Sequence, residues 1–405
     1  MTPLPASSAP LHTRLVRALL TLLCFGAVLI ARPDVQARDV PSRLNDKAFW
    51  QMVTSFSEAG GRFPSDNFVS NEIAYQTVLP RLTQTIAPGG VYVGVGPDQN
   101  FTYIVGLKPR LAFIVDIRRQ NLLHHLLYKA VIELSPTRAA FLARMFGRPP
   151  PAALPAHAPP EALFAAMAEV DRPDEARFDR LVTEALDRLV RHHKFELSDI
   201  DQETIRYIYD AFMSAGPDLS YASSSGYVFS LGGRIVRSPA SPYPTYAEII
   251  SRHDGTGLNR SYLANEATYK FLRDMQLRNA IVPIVGDFAG TRALRAVGTY
   301  LRERKARVTT FYTSNVEQYL FQNYLWREFY DNVAQLPLDE TSTFIRSEFL
   351  GQPMPYVFAT PNGDGVTTHR PLRASESLTC SIQELLAAVA SGAVVTYREV
   401  IAMSR

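Results

Sequence analysis

Apolar residues recur along this chain in two rhythms, and the points where one gives way to the other outline its elements. Short aliphatic and β-branched runs at 91–95, 110–117 (RLAFIVDI), 281–285, 308–312 and 341–345 have the composition of buried strands. Helical spacing fills the segments around them. It is clearest over 121–134, where Leu122, Leu123, Leu126, Leu127, Ala130 and Val131 share one face. The same rhythm predicts helix over most of 44–86, up to the Pro88-Gly89-Gly90 turn, and again over 161–193, 201–214, 261–278, 291–305 and 316–329. Ser198 or Asp199 stands ready to cap the third of these. Residues 227–236 read as a hairpin turning at Gly232-Gly233. The stretch 148–160 (RPPPAALPAHAPP) is excluded from regular structure, because its prolines lack donors and block helix.

Strands that alternate with helices predict an α/β fold, a Rossmann-like parallel sheet with helices on both faces. Residues 136–279 interrupt the alternation and are expected to form a large, mainly helical insertion between the second and third sheet strands. One domain is expected over 38–405.

The start of the chain has a different character. Arg14 and Arg17 precede the apolar run ALLTLLCFGAVLIA, and Val35-Gln36-Ala37 supplies small residues for cleavage. Residues 1–37 therefore read as a signal peptide, and the mature protein as periplasmic or secreted. Fourteen apolar residues fall short of the roughly 20 that span a bilayer, so no stable membrane span is expected after cleavage. Cleavage leaves Cys380 alone, which excludes an intramolecular disulfide. The net charge of +3 over 405 residues offers no basic surface for nucleic acid.

The candidate chemistry gathers at strand ends. Gly94-Val95-Gly96-Pro97-Asp98-Gln99-Asn100 follows the first strand, where glycines let backbone turn sharply and approach a ligand beside a helix start. Asp116 ends the second strand, at the distance from Gly96 expected of an acid that accepts hydrogen bonds from both ribose hydroxyls. Gly286-Asp287 closes the third strand, and Tyr312 and Asn315 fall at the end of the fourth. Carboxyl ends of parallel strands share a rim, so Gly94, Gly96, Asp116, Asp287 and Asn315 are expected to converge. Gln99 and Asn100 either contact a cofactor or belong to a helix-start network. Asp66-Asn67 and Ser70-Asn71-Glu72 either bond a ligand or cap a helix, with Asn71 the candidate facing substrate. Arg118 reads as a surface arginine or as a partner for an anion. His124-His125 and His192-His193 are adjacent pairs without metal-site spacing, and Tyr319, Tyr324, Trp326, Phe329 and Tyr330 read as core packing. The G-x-S-x-G elbow of serine hydrolases is not found.

In their order, VYVGVGPDQN, AFIVDIRRQN, IVPIVGDFAG and VTTFYTSNVEQYL resemble the class I S-adenosylmethionine-dependent methyltransferases. The resemblance implies that Gly94 and Gly96 hold the amino-acid part of S-adenosylmethionine, with Gln99 and Asn100 beside its tail. It implies that Asp116 holds the ribose and Asp287 approaches the adenine, while Asn71, Tyr312 and Asn315 face the methyl acceptor. Tyr92 replaces the family's usual acid before the first glycine, and Asp98 its third glycine. A closer similarity, through FVSNE, GVGPDQNFTYI, FIVDIRRQNLL, GLNRSYL and VGDFAG, is to a group of exported bacterial proteins of this fold and implies the fold alone. Two functions follow: a methyltransferase-like enzyme for a small nucleoside-type cofactor, or an exported ligand-binding or scaffold protein that keeps the fold without catalysis. A dinucleotide oxidoreductase is a weaker third, since half of that fingerprint is absent.

Overall fold

A computed structural model describes residues 39–63, 65–150, 155–168, 174–221, 228–231, 234–237, 243–354 and 372–405. The leader at 1–37 and the Gly232-Gly233 turn lie outside them.

The apolar runs become strands β1 (Val91–Gly94) and β2 (Leu111–Asp116), then a separate antiparallel pair, β3 (Val228–Leu231) and β4 (Arg234–Arg237). After these come β5 (Ile281–Val285), β6 (Val308–Ser314), β7 (Thr343–Met354) and β8 (Leu372–Ser381). Six of them form one sheet in the order β5-β2-β1-β6-β7-β8, parallel except where β8 pairs antiparallel with β7. Counted along the chain within that sheet, this is 3-2-1-4-5-6, the doubly wound order, and it is compatible with a Rossmann-like fold. Every residue of β1, β2 and β5 is buried, which is why those segments read as continuous apolar runs rather than alternating ones.

Helix Gln99–Leu107 connects β1 to β2, and helix Arg119–Glu133 follows β2. Helix Ala293–Arg302 carries the chain from β5 back across β2 and β1 to β6. The direction of travel reverses between β1 and β6, so right-handed crossovers put the last helix on the opposite face from the first two. The reversal also opens a crevice at the carboxyl ends of β1 and β6.

Between Glu133 and β5 the chain forms helices that include Arg138–Met145, Glu175–Asp187, Asp199–Ala215 and Glu266–Leu277. Ser198 caps Asp199–Ala215 in a capping box with Asp201. A charged knot ties this region to helix Arg119–Glu133. The buried Glu133 carboxylate receives Lys129 Nζ at 2.6 Å, Arg188 Nε at 2.6 Å and His193 Nε2 at 2.7 Å. A second knot lies near the C-terminus, where the buried Arg346 pairs bidentately with Glu317 and also reaches Cys380 Sγ.

Three segments depart from the expected pattern. The helix expected over 316–329 is two, Val316–Gln322 and Trp326–Ala334, broken where Tyr324 turns left-handed at φ 59°. Of its aromatics, Trp326, Phe329 and Tyr330 pack in the core, but Tyr319 and Tyr324 are exposed. The last expected strand is longer than its apolar run and pairs with β8.

The third departure matters most. Within 44–86 only Asp46–Phe56 and Leu79–Thr85 are helical. Residues 57–63 and 65–72 instead form an irregular strap along the carboxyl rim of the sheet. Glu58 N donates to Val285 O at the end of β5, and Gly61 N donates to Ile117 O just past β2. Arg118 donates to the carbonyls of Ser65 and Asp66. Glu72 then reaches the end of β6, where it accepts from the Tyr312 hydroxyl. Backbone groups spent on the rim are unavailable to a helix, and this tertiary demand overrides the helical spacing.

Among the described residues no helix is long and apolar enough to cross a membrane.

Candidate functional site

Strap and sheet rim together enclose a cavity of about 550 Å³, within the range of small-molecule sites. Gly96, Gln99, Asp116, Asp287, Tyr312 and Asn315 all line it, as does Asn71 from the strap. Residues separated by more than two hundred positions thus meet at one rim because their strands are parallel neighbours. Gly94 and Asn100 lie behind the wall rather than on it.

The two glycines are required for different reasons. A Cβ on Gly94 would sit 2.0 Å from Asn100 Oδ1 and 2.7 Å from the Tyr92 hydroxyl, so no side chain fits. Gly96 has φ 78°, and the nearest atom to a Cβ there is Asn67 Nδ2 at 3.9 Å. The first glycine makes room for the protein's own side chains; the second bends the loop and leaves space in the cavity. Asn100 staples that loop, donating to the carbonyls of Val95, Gly96 and Pro97 while accepting from Tyr92 OH at 2.8 Å. Tyr92, where the resemblance expects an acid, is therefore part of the loop's scaffold. His125 Nε2 also meets Gly96 O, at 2.8 Å, and His124 stacks on Tyr128.

Asp116 is held by its own neighbour. Arg118 donates Nε and its backbone N to Asp116 Oδ1, and Nη2 to Oδ2 at 2.8 Å. Both side chains are buried, so Arg118 is not the surface residue that its place before a helix suggests. A carboxylate oxygen has two lone pairs. Oδ1 has used both, and Oδ2 has one left. The acid expected to take both ribose hydroxyls has room for one good hydrogen bond more.

The residue not singled out from sequence is Glu72. It is 2% exposed, and it lines the cavity. Its carboxylate accepts from Gln99 Nε2 at 2.6 Å, Tyr312 OH at 2.8 Å and the Ser314 hydroxyl. Among the described residues no Lys, Arg or His pairs with it. Burial raises its pKa, and hydrogen bonding to Ser314, Gln99, Tyr312 and Ser347 only partly offsets this. Buried acids in clefts whose pKa is shifted by their surroundings concentrate at functional sites. Gln99 Oε1, buried on the same wall, has no hydrogen-bond partner. Among the described residues, no group of three or more His, Cys, Asp or Glu side chains is placed to hold a metal ion.

Asp98 sits on the far side of the glycine loop, 1% exposed, accepting from Tyr262 OH at 2.7 Å. Burial pushes its pKa up to about 7, and the bond from Tyr262 opposes this. A carboxyl raised on folding contributes stability that is complete below its ordinary 3.8 and is lost as pH rises through about 7. Asp98→Asn is therefore expected to flatten the pH dependence of the melting temperature between pH 4 and 8, as ~1.4 kcal/mol per pKa unit requires. It should raise the melting temperature at pH 8. Melting curves across that range check it, and an unchanged slope would contradict a neutral buried Asp98.

No curated protein matches the chain. A family profile does, over residues 67–150 and 236–364, slightly more than half of the chain. The matched segments hold the glycine loop, Glu72, Asp116, Asp287, Tyr312 and Asn315, so they span the cavity and leave out much of the region between β2 and β5. The chain belongs to the family described as a domain of unknown function, DUF7790.

Proposed function

We propose that the protein is an exported, methyltransferase-like enzyme that binds S-adenosylmethionine in the rim cavity. The observation that carries this reading is the meeting of Gly96, Asp116 and Asp287 in one cavity at the reversal point of a doubly wound sheet. Asp287 and Asp116, at the ends of β5 and β2, would face the nucleoside. Gly96, just past the end of β1, would face the amino-acid end. One feature of the wall fits such a guest: the space a Cβ would take at Gly96. The cofactor supplies an activated methyl group. The chain's own task is then to align donor and acceptor, chemistry that depends on positioning more than on acid–base groups.

The self-filled loop around Tyr92 and Asn100 favours the other reading, a non-catalytic protein that keeps the fold. Calorimetry with S-adenosylhomocysteine and NAD separates the two. Wild type is expected to bind the first, and Gly96→Ala to bind it at least tenfold more weakly. The methyl group invades the cavity and also costs about 1–2 kcal/mol of left-handed strain. No heat with either compound at millimolar concentration would leave the non-catalytic reading standing.

A further inference from the structure

The Glu72 end of the cavity has a chemical imbalance. Two acceptors meet there, the Glu72 carboxylate and Gln99 Oε1, and the groups that hydrogen-bond Glu72, those of Gln99, Tyr312, Ser314 and Ser347, are all neutral. Gln99 Nε2 serves both Glu72 and Tyr312 OH, and the Tyr312 and Ser314 hydroxyls serve Glu72. Of the two arginines that line the cavity, Arg118 is paired with Asp116 and Arg62 is exposed to solvent. What this end lacks is a hydrogen-bond donor that brings positive charge.

We propose that Glu72 and Gln99 Oε1 form the recognition site for the amino group of the acceptor, which makes an amine the substrate class. This rests on the rim cavity being a ligand site, as proposed above. Glu72 is tied to Tyr312 and Ser314 on β6, three strands across the sheet from β5 and the Asp287 that follows it, or about 14 Å at ~4.8 Å per strand. A nucleoside over β2 and β5 therefore leaves the Glu72 end to a second molecule. Phe63, Tyr221 and Tyr319 stand elsewhere on the cavity wall, and aromatic faces suit an apolar group attached to the amine and the cation itself.

An uncompensated buried carboxylate destabilises the free protein. Glu72→Gln keeps the shape and an acceptor oxygen but removes the charge. Its expected signature is a higher melting temperature without ligand, whereas an acid kept only to hold the rim together would show a lower one. Phenethylamine and phenethyl alcohol, nearly the same shape with and without a cationic donor, are the probes. Phenethylamine at 10 mM should raise the melting temperature of the wild type and leave that of Glu72→Gln unchanged, while the alcohol moves neither. No shift with the amine, or equal shifts with both probes, overturns the proposal.

Calorimetry with S-adenosylhomocysteine keeps the two readings apart. If that ligand binds and the amine does not, the amine site falls and the cofactor reading stands. The converse leaves the amine site and removes the cofactor. If Glu72→Gln abolishes S-adenosylhomocysteine binding and the amine is without effect, the carboxylate serves the cofactor's own amino group, and the proposal is wrong.

Discussion

Glu133→Ala is expected to lower the unfolding free energy by about 3–5 kcal/mol, the cost of stranding buried charge. Lys129 Nζ would keep only the carbonyl of Gln276, at 2.6 Å, and the face of Phe49. Burial already lowers the pKa of Lys129, and Arg188 opposes its charge as well. The effect should be global, because Glu133 ties helix Arg119–Glu133 to Arg188 and His193 of the helical region after it. Burial would raise the pKa of Glu133, but the bond from His193 and the charge of Lys129 outweigh it and bring the pKa down to about 2. A carboxyl lowered on folding contributes stability that is present above its ordinary 4.5 and lost as pH falls through about 2. Urea titrations at pH 7 and pH 3 test both parts: a large loss in the variant at pH 7, and a smaller gap between variant and wild type in acid. A loss at pH 7 under about 1 kcal/mol, the scale of an exposed pair, would show that the cations find other partners.

How much of this was legible in sequence depended on whether a residue's place is set by its neighbours along the chain. β1, β2 and β5 are short runs buried on both faces, β6 is nearly so, and such burial writes itself into composition. Because the strands are parallel, the meeting of Gly96, Asp116, Asp287 and Asn315 followed from their positions at strand ends. The strap, over 57–63 and 65–72, has no comparable local cause. Its spacing reads as helix, and only the unpaired backbone groups at the rim draw it out. Glu72 inherits that illegibility, since nothing in Ser70-Asn71-Glu72 distinguishes a solvated turn from an acid sealed against Tyr312, 240 positions away. The one available signal was the density of polar side chains just before a buried strand. Arg118 misled for a similar reason. An arginine at a helix start is normally solvated, and here the strap closes over it. Gly94 was expected to line the ligand rim, but it ends β1 behind the cavity wall and makes room for Asn100 and Tyr92, a distinction visible only in three dimensions.

Asp116→Ala is expected to do two separable things. Its removal leaves the buried Arg118 guanidinium with the carbonyls of Ser65 and Asp66 and the ring of Phe63, at a cost of about 3–5 kcal/mol whether or not ligand is present. If Asp116 also meets a ribose hydroxyl through its remaining lone pair, affinity for S-adenosylhomocysteine falls in addition. One charge-assisted bond is worth about 1.5–3 kcal/mol, or roughly 10- to 100-fold. A single variant confuses the two effects, since a loosened strap also binds poorly. Asp116→Ala combined with Arg118→Met resolves them. Replacing both charges with apolar groups removes the stranded guanidinium, so the double variant should recover most of the lost stability. Calorimetry then decides the role of the acid. Affinity that stays low in the stable double variant assigns Asp116 to the ligand, whereas affinity that returns with stability makes it a stay for Arg118 and the strap.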